Sequence, residues 1–148
     1  MARFQYAYQK IVDLKTSEKS QAEWQLSVVI GNLSKEEQCL EQLHAERAFW
    51  SEQLQDASLN SGVLAEIMTI QTYISFLDDS IIRKLRDVKR AESAVEERRQ
   101  VLSERMVDEK VWLKTKENAL QRFKADLLTK EQNALDELAT VRFMHAAT

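Results

Sequence analysis

Proline is absent from all 148 residues of this chain, and glycine occurs twice, at Gly31 and Gly62. These two residue types are the strongest local punctuation a polypeptide has. Without them the chain has almost nowhere to turn. That excludes a globular domain of many short elements and leaves a few very long helices. A single cysteine, Cys39, excludes an intrachain disulfide and gives no sign of an oxidising compartment. No uncharged apolar run approaches the ~20 residues that span a bilayer. The opening segment, residues 1–10, lacks the apolar stretch of a signal peptide. The expectation is a soluble, cytoplasmic protein.

Catalytic constellations are missing as well. No glycine-rich loop precedes a helix, so no phosphate cradle is present. His44 and His145 are the only histidines. Cys39 and His44 are five residues apart on adjacent helix faces with no further ligand nearby, which reads as a small flanking cysteine and a surface histidine. Asp78-Asp79 and Glu96-Glu97 are carboxylate neighbours, but adjacent helical residues point apart. Two helices do not enclose the water-excluding cleft that catalysis needs. The reading is no enzyme, no cofactor and no metal.

What is present is 44% apolar and 30% charged, the mixture of a long-helix or coiled-coil protein rather than a disordered tail. The net charge of -3 argues against a general nucleic-acid binder. The local exception is Arg83–Arg90, where five bases face one acid. It reads either as a solvated helix face or as a docking patch for an acidic surface.

Apolar residues step by three and four through Leu26, Val29, Leu33, Leu40, Leu43, Trp50, Leu54 and Ala57, with Glu36 and Arg47 as polar entries. This is the heptad seam of helix-on-helix packing. Small and polar residues then cluster over 57–62, where Gly62 can turn and Asn60 or Ser61 can cap. The seam resumes as Ile67, Ile74, Ile81, Val88, Val95 and Leu102, spaced by seven, then passes to Met106, Leu113, Leu120, Leu127, Ala134 and Val141. The fold class expected is all-α: two long helices forming one antiparallel coiled-coil hairpin over 1–148, the second longer than the first. Helix one is placed at about 4–57, the turn at 58–62 and helix two at about 63–142, roughly 80 and 120 Å long.

Folding about residue 60 sets Leu54 opposite Ile67, Leu40 opposite Ile81, Tyr8 near Leu113 and Phe4 near Glu117. The first helix is then exhausted. Residues from about 119 onward have no intrachain partner, yet Leu120, Phe123, Leu127, Leu135, Leu138 and Val141 continue an apolar stripe. Burying one leucine-sized side chain gains ~1.5–3 kcal/mol, so another chain is expected to cover this arm. Nearer the turn, Phe49 and Trp50 on the first helix lie level with Tyr73 and Phe76 on the second. Tyr73, Leu77, Ser80 and Lys84 are expected as a stripe beside the Ile74 and Ile81 seam, either as flanking packing or as a docking face.

Three stretches resemble the flagellar export chaperone FliJ family. They are Phe4 to Lys15 (FQYAYQKIVDLK), Tyr73 to Ile81 (YISFLDDSI) and the terminal Val141-Arg142-Phe143-Met144. The resemblance implies a two-helix stalk similar to the central subunit of rotary ATPases. Its terminal half would engage the hexameric flagellar export ATPase through Leu120, Phe123, Leu127, Leu138 and Phe143. Its turn half would engage the cytoplasmic domain of the export-gate protein FlhA through Trp50, Tyr73, Leu77, Ser80 and Lys84. Lys84 departs from the histidine that some members carry. The resemblance also implies escort of export chaperones and a place peripheral to the cytoplasmic face of the membrane at the flagellar base. Two alternatives stand beside it. One is a structural coiled coil that self-associates through the C-terminal arm into a helical scaffold without an export role. The other is a nucleic-acid or lipid-surface binder acting through residues 83–90.

Overall fold

A computed structural model describes residues 3–60 and 62–147. They form two helices, α1 (Gln9–Leu59) of 51 residues and α2 (Leu64–Ala147) of 84. The fold is an antiparallel helical hairpin with the second helix the longer. Its contacts divide into two compact units, one of Gln21–Ser103 and one of Met1–Ser20 with Glu104–Thr148.

In the unit Gln21–Ser103 the seam is the one read from the spacing. Leu26, Val29, Leu33, Leu40, Leu43, Trp50, Leu54 and Ala57 are all half-buried, as are Glu36 and Arg47 between them. On α2, Leu77, Ile81, Val88 and Val95 are buried. Leu77 is the most deeply covered side chain, at 1% exposure. That differs from the expectation of a flanking stripe. A heptad seam needs two columns, and Ile70, Leu77, Lys84 and Ala91 form the second beside Ile67, Ile74, Ile81 and Val88. Cross-helix contacts fall within a few residues of the expected register: Trp50 meets Tyr73 and Gln25 meets Arg98, each two residues further along α2.

Polar seam positions are paired across the helices. Lys84 Nζ donates to Glu36 at 2.9 Å, and Arg47 donates to Asp78. The Glu36 hydrogen bond raises the Lys84 ammonium above its ordinary value, with burial opposing. Such polar layers cost stability but fix which residues face each other.

The turn closes on backbone. Gly62 N–H donates to the Ala57 carbonyl at 2.9 Å, the six-residue closure of a helix C-terminus. A Cβ at Gly62 would sit 2.8 Å from that same oxygen, so close approach, not an unusual backbone angle, requires glycine here. Glu66 and Ile67 donate to the Val63 carbonyl, which makes Val63 the residue that opens α2. Asn60 N–H instead bonds back to the Asp56 carbonyl and ends α1; Ser61 lies outside the described residues. Gly31 has open space around it and sits in the helix interior.

In the second unit, α1 starts at Gln9 rather than near Phe4. Residues 3–6 are non-helical, and a non-helical residue covers up to ~3.3 Å against 1.5 Å in a helix. The strand of chain therefore reaches further than a helix would. Phe4 meets Phe123, ring centroids 5.5 Å apart, instead of Glu117, and Tyr8 meets Trp112 at 6.1 Å. Val12 is buried, and Lys19 pairs with Glu109 at 3.0 Å. That bond, with a second from Thr16, holds the Glu109 carboxyl below its ordinary range.

Candidate docking sites

The C-terminal arm is built by one change of pattern in α2. Up to Phe123 the column facing α1 runs Arg105, Glu109, Trp112, Lys116, Ala119 and Phe123, and every one is half-buried. Beyond Phe123 the same column becomes Asp126, Lys130, Asn133, Glu137 and Thr140, and every described residue from Lys124 to Ala147 is exposed. The apolar residues stand one position over, about 100° around the helix: Met106, Leu113, Leu120, Leu127, Ala134 and Val141, with Leu138 between the last two. The stripe is therefore a second face and not the seam prolonged. It is open well before the arm begins, since Met106 is 52% exposed.

Of the residues expected on the arm, Leu120 and Phe123 are half-buried, Phe123 beneath Phe4. Leu127 and Leu138 are exposed on the shared stripe. Phe143 is 76% exposed but five residues from Leu138, about 140° around the helix, so the structure does not bring it onto that stripe. A shallow groove on the outer face of α2, lined by Val107, Val111 and Leu113 among lysines, adds apolar surface beside it.

Near the turn an aromatic chain crosses between the helices. Phe49 lies edge-on to Trp50 at 5.3 Å, Trp50 edge-on to Tyr73 at 5.6 Å, and Tyr73 stacks on Phe76 at 6.0 Å. Phe49 and Phe76 are more than half exposed, with Trp50 and Tyr73 half-buried between them. The Tyr73 hydroxyl donates to Glu46, which holds its proton on and raises its pKa, with burial and the Glu46 charge adding to the effect. Leu77 lies underneath, in the seam. Ser80 accepts a bond from Arg83 at 3.2 Å, and Lys84 is held by Glu36. Of the five residues expected at this face, Trp50 and Tyr73 are brought together, Leu77 is buried in the seam, and Ser80 and Lys84 lie further along α2 with partners of their own.

Charge separates this region from the rest of the chain. From Ala48 to Ile82 there is no lysine or arginine, while Glu52, Asp56, Glu66, Asp78 and Asp79 are all present. Leu59, Val63, Leu64 and Met68 are exposed around the turn itself. Further along α2, Arg86, Lys89 and Arg90 of the basic run are exposed, and Lys84 is tied to Glu36 and Asp87. Among the described residues no group of three or more histidine, cysteine or acidic side chains is arranged to hold a metal, and no helix is long and apolar enough to cross a membrane.

The family model of the flagellar FliJ protein matches residues 4–148. The chain belongs to the FliJ family. The flagellar FliJ protein of Bacillus subtilis (strain 168) is 26% identical over 144 residues, covering 95% of this chain and 96% of that one. No solved structure matches. Membership makes this a flagellar export-related protein of a non-enzymatic family.

Proposed function

We propose that this FliJ-family chain is a coupling element of the flagellar type III export apparatus, with one partner for the arm and another for the turn half. The arm takes the hexameric export ATPase through Leu127 and Leu138, with Leu120 and Phe123 at its root and Phe143 on its other side. The turn half takes the cytoplasmic domain of FlhA through Trp50 and Tyr73, held in place by Leu77, Ser80 and Lys84. Export chaperones are further partners, and the protein works peripherally at the cytoplasmic face of the membrane at the flagellar base. The work is mechanical: a change in one partner's grip is passed along continuous helix.

The observation that carries this reading is the change at Phe123, after which an apolar stripe runs on exposed, uncovered by any of the described residues. Leucine-sized anchors in a row on a rigid helix are the form of a helix-in-groove ligand. The test is binding of Leu127→Asp and Leu138→Asp variants to the ATPase ring. We expect affinity to fall at least about tenfold, since a buried hot-spot anchor contributes ~2 kcal/mol or more, while far-ultraviolet helicity stays at the wild-type level. Full stimulation of the ATPase by both variants rejects the arm assignment. Tyr73→Ala should weaken FlhA binding more than ring binding; equal losses at both reject the division of labour.

A further inference from the structure

We infer that the C-terminal arm is self-complementary and pairs antiparallel with the arm of a second copy of this chain, about a two-fold axis near residues 132 and 133. The argument starts from the stripe's heptad. Its two columns are Leu120, Leu127, Ala134 and Val141, and Lys124, Glu131 and Leu138. A parallel in-register pair would set Lys124 on Lys124 and Glu131 on Glu131 of the second copy, two like-charge contacts in the middle of an apolar seam. Running the copies in opposite directions parts the two Lys124 side chains and takes the Glu131 pair out of direct opposition, one to either side of the axis. Leu127 then faces Leu138 of the other copy, Lys124 faces Val141, and Glu131 faces Ala134, where a small neighbour lets the carboxylate reach water.

The flanking positions agree with the same register. On one side Lys130 faces Glu137 of the other copy, and Phe123 faces Met144. On the other side Leu128 faces Leu135. Charge meets opposite charge and apolar meets apolar in each of these flanking pairs, and the two-fold axis makes each contact twice. All of these residues from Lys124 onward are exposed in the structure, while Leu120 and Phe123 at the root are half-buried, so the surface beyond Phe123 needs no rearrangement to pair. Lys124 and Glu131 at seam positions cost stability while fixing direction and register. The result is a specific pair that can come apart, and it covers the same stripe that the ATPase ring is proposed to take. Pairing and ring docking exclude each other at this stripe.

Sedimentation equilibrium of the full chain tests the inference with no ATPase present, so its failure leaves ring docking untouched. Wild-type protein should show a reversible monomer–dimer equilibrium. Lys130→Glu and Glu137→Lys should each place like charges opposite one another twice and raise the dimer dissociation constant roughly tenfold or more. Mixed in equal amounts, the two variants should associate again, because each then presents the charge the other needs; the double variant should also recover. A wild-type mass that stays monomeric up to roughly 0.1 mM, below which even weak specific pairs form, overturns the inference. So does a mixture that stays monomeric, or a dimer indifferent to both single substitutions. Both sites are exposed and polar, so loss of fold does not confound the reading.

Discussion

Two stretches of one helix, residues 64–102 and 124–147 of α2, share a backbone conformation and a heptad pattern and differ in what covers them. In the first, Ile67, Ile74, Ile81, Val88 and Val95 fill one column without interruption, and Leu77 in the other is almost fully buried. In the second, Lys124 and Glu131 interrupt the apolar column and every described residue is exposed. The difference teaches that the heptad alone does not distinguish a covered face from an open one. Charge at the seam does not either, since Lys84 sits in the second column of the first stretch, held there by Glu36. What differs is that α1 lies against the first stretch, whereas every described residue of the second is exposed.

The comparison breaks most visibly through truncation of one leucine in each stretch. Leu77→Ala should cost about 2–5 kcal/mol, the range for a fully buried leucine, and lower the midpoint of thermal unfolding. Leu138→Ala should lie within about 0.5 kcal/mol of wild type in dilute solution, as for an exposed site. Similar losses at both would show that the arm is covered as permanently as the hairpin seam. The two glycines sharpen the contrast at smaller amplitude. Gly31→Ala should stabilise by about 1 kcal/mol, because helix propensity rises and nothing lies near enough to clash. Gly62→Ala should destabilise, because the added Cβ meets the Ala57 carbonyl. Chemical denaturation of both variants gives the two signs directly.

The smallest effect is electrostatic and belongs to the terminal unit. Glu109 is held below its ordinary value by Lys19, so the folded state favours the carboxylate. That contribution is complete above the unfolded-state value, about pH 4.3, and fades as pH falls through the lower folded value. Glu109→Gln should therefore flatten the acid limb of a stability–pH profile and leave the neutral plateau nearly flat in slope. An acid limb unchanged by the substitution would remove Glu109 from the account.

Much of the hairpin was legible before the structure because period and punctuation are local. The seam from Leu26 to Ala57 needed only spacing, and one polar cluster marked the turn. Partner register was not local. Folding about residue 60 places partners only to within a few residues, Trp50–Tyr73 and Gln25–Arg98 lying two away from the expected pairing, and spacing alone did not single out the ion pairs Glu36–Lys84 and Arg47–Asp78. Their opposite charges at facing heights were the available signal. The terminal aromatic cluster was hidden for a different reason. Phe4, Tyr8 and Ile11 keep helical spacing, but Phe4 and Tyr8 lie before the helix, and only extended backbone carries Phe4 as far as Phe123. The arm stripe was visible as apolar residues, whereas its rotation away from the seam appeared only once burial identified which column α1 covers.

The turn half has one more property, set by what it carries over Ala48–Ile82. Five carboxylates with no lysine or arginine inside the segment, only Asp78 being paired from outside it by Arg47 among the ion pairs described, leave its surface net acidic. A bilayer rich in anionic headgroups repels such a surface within a Debye length, about 8 Å at physiological salt. That repulsion opposes use of the exposed Leu59, Val63 and Leu64 as a lipid anchor. If this half works beside a membrane, as proposed, its acidic surface favours a basic polypeptide over lipid as the neighbour it contacts.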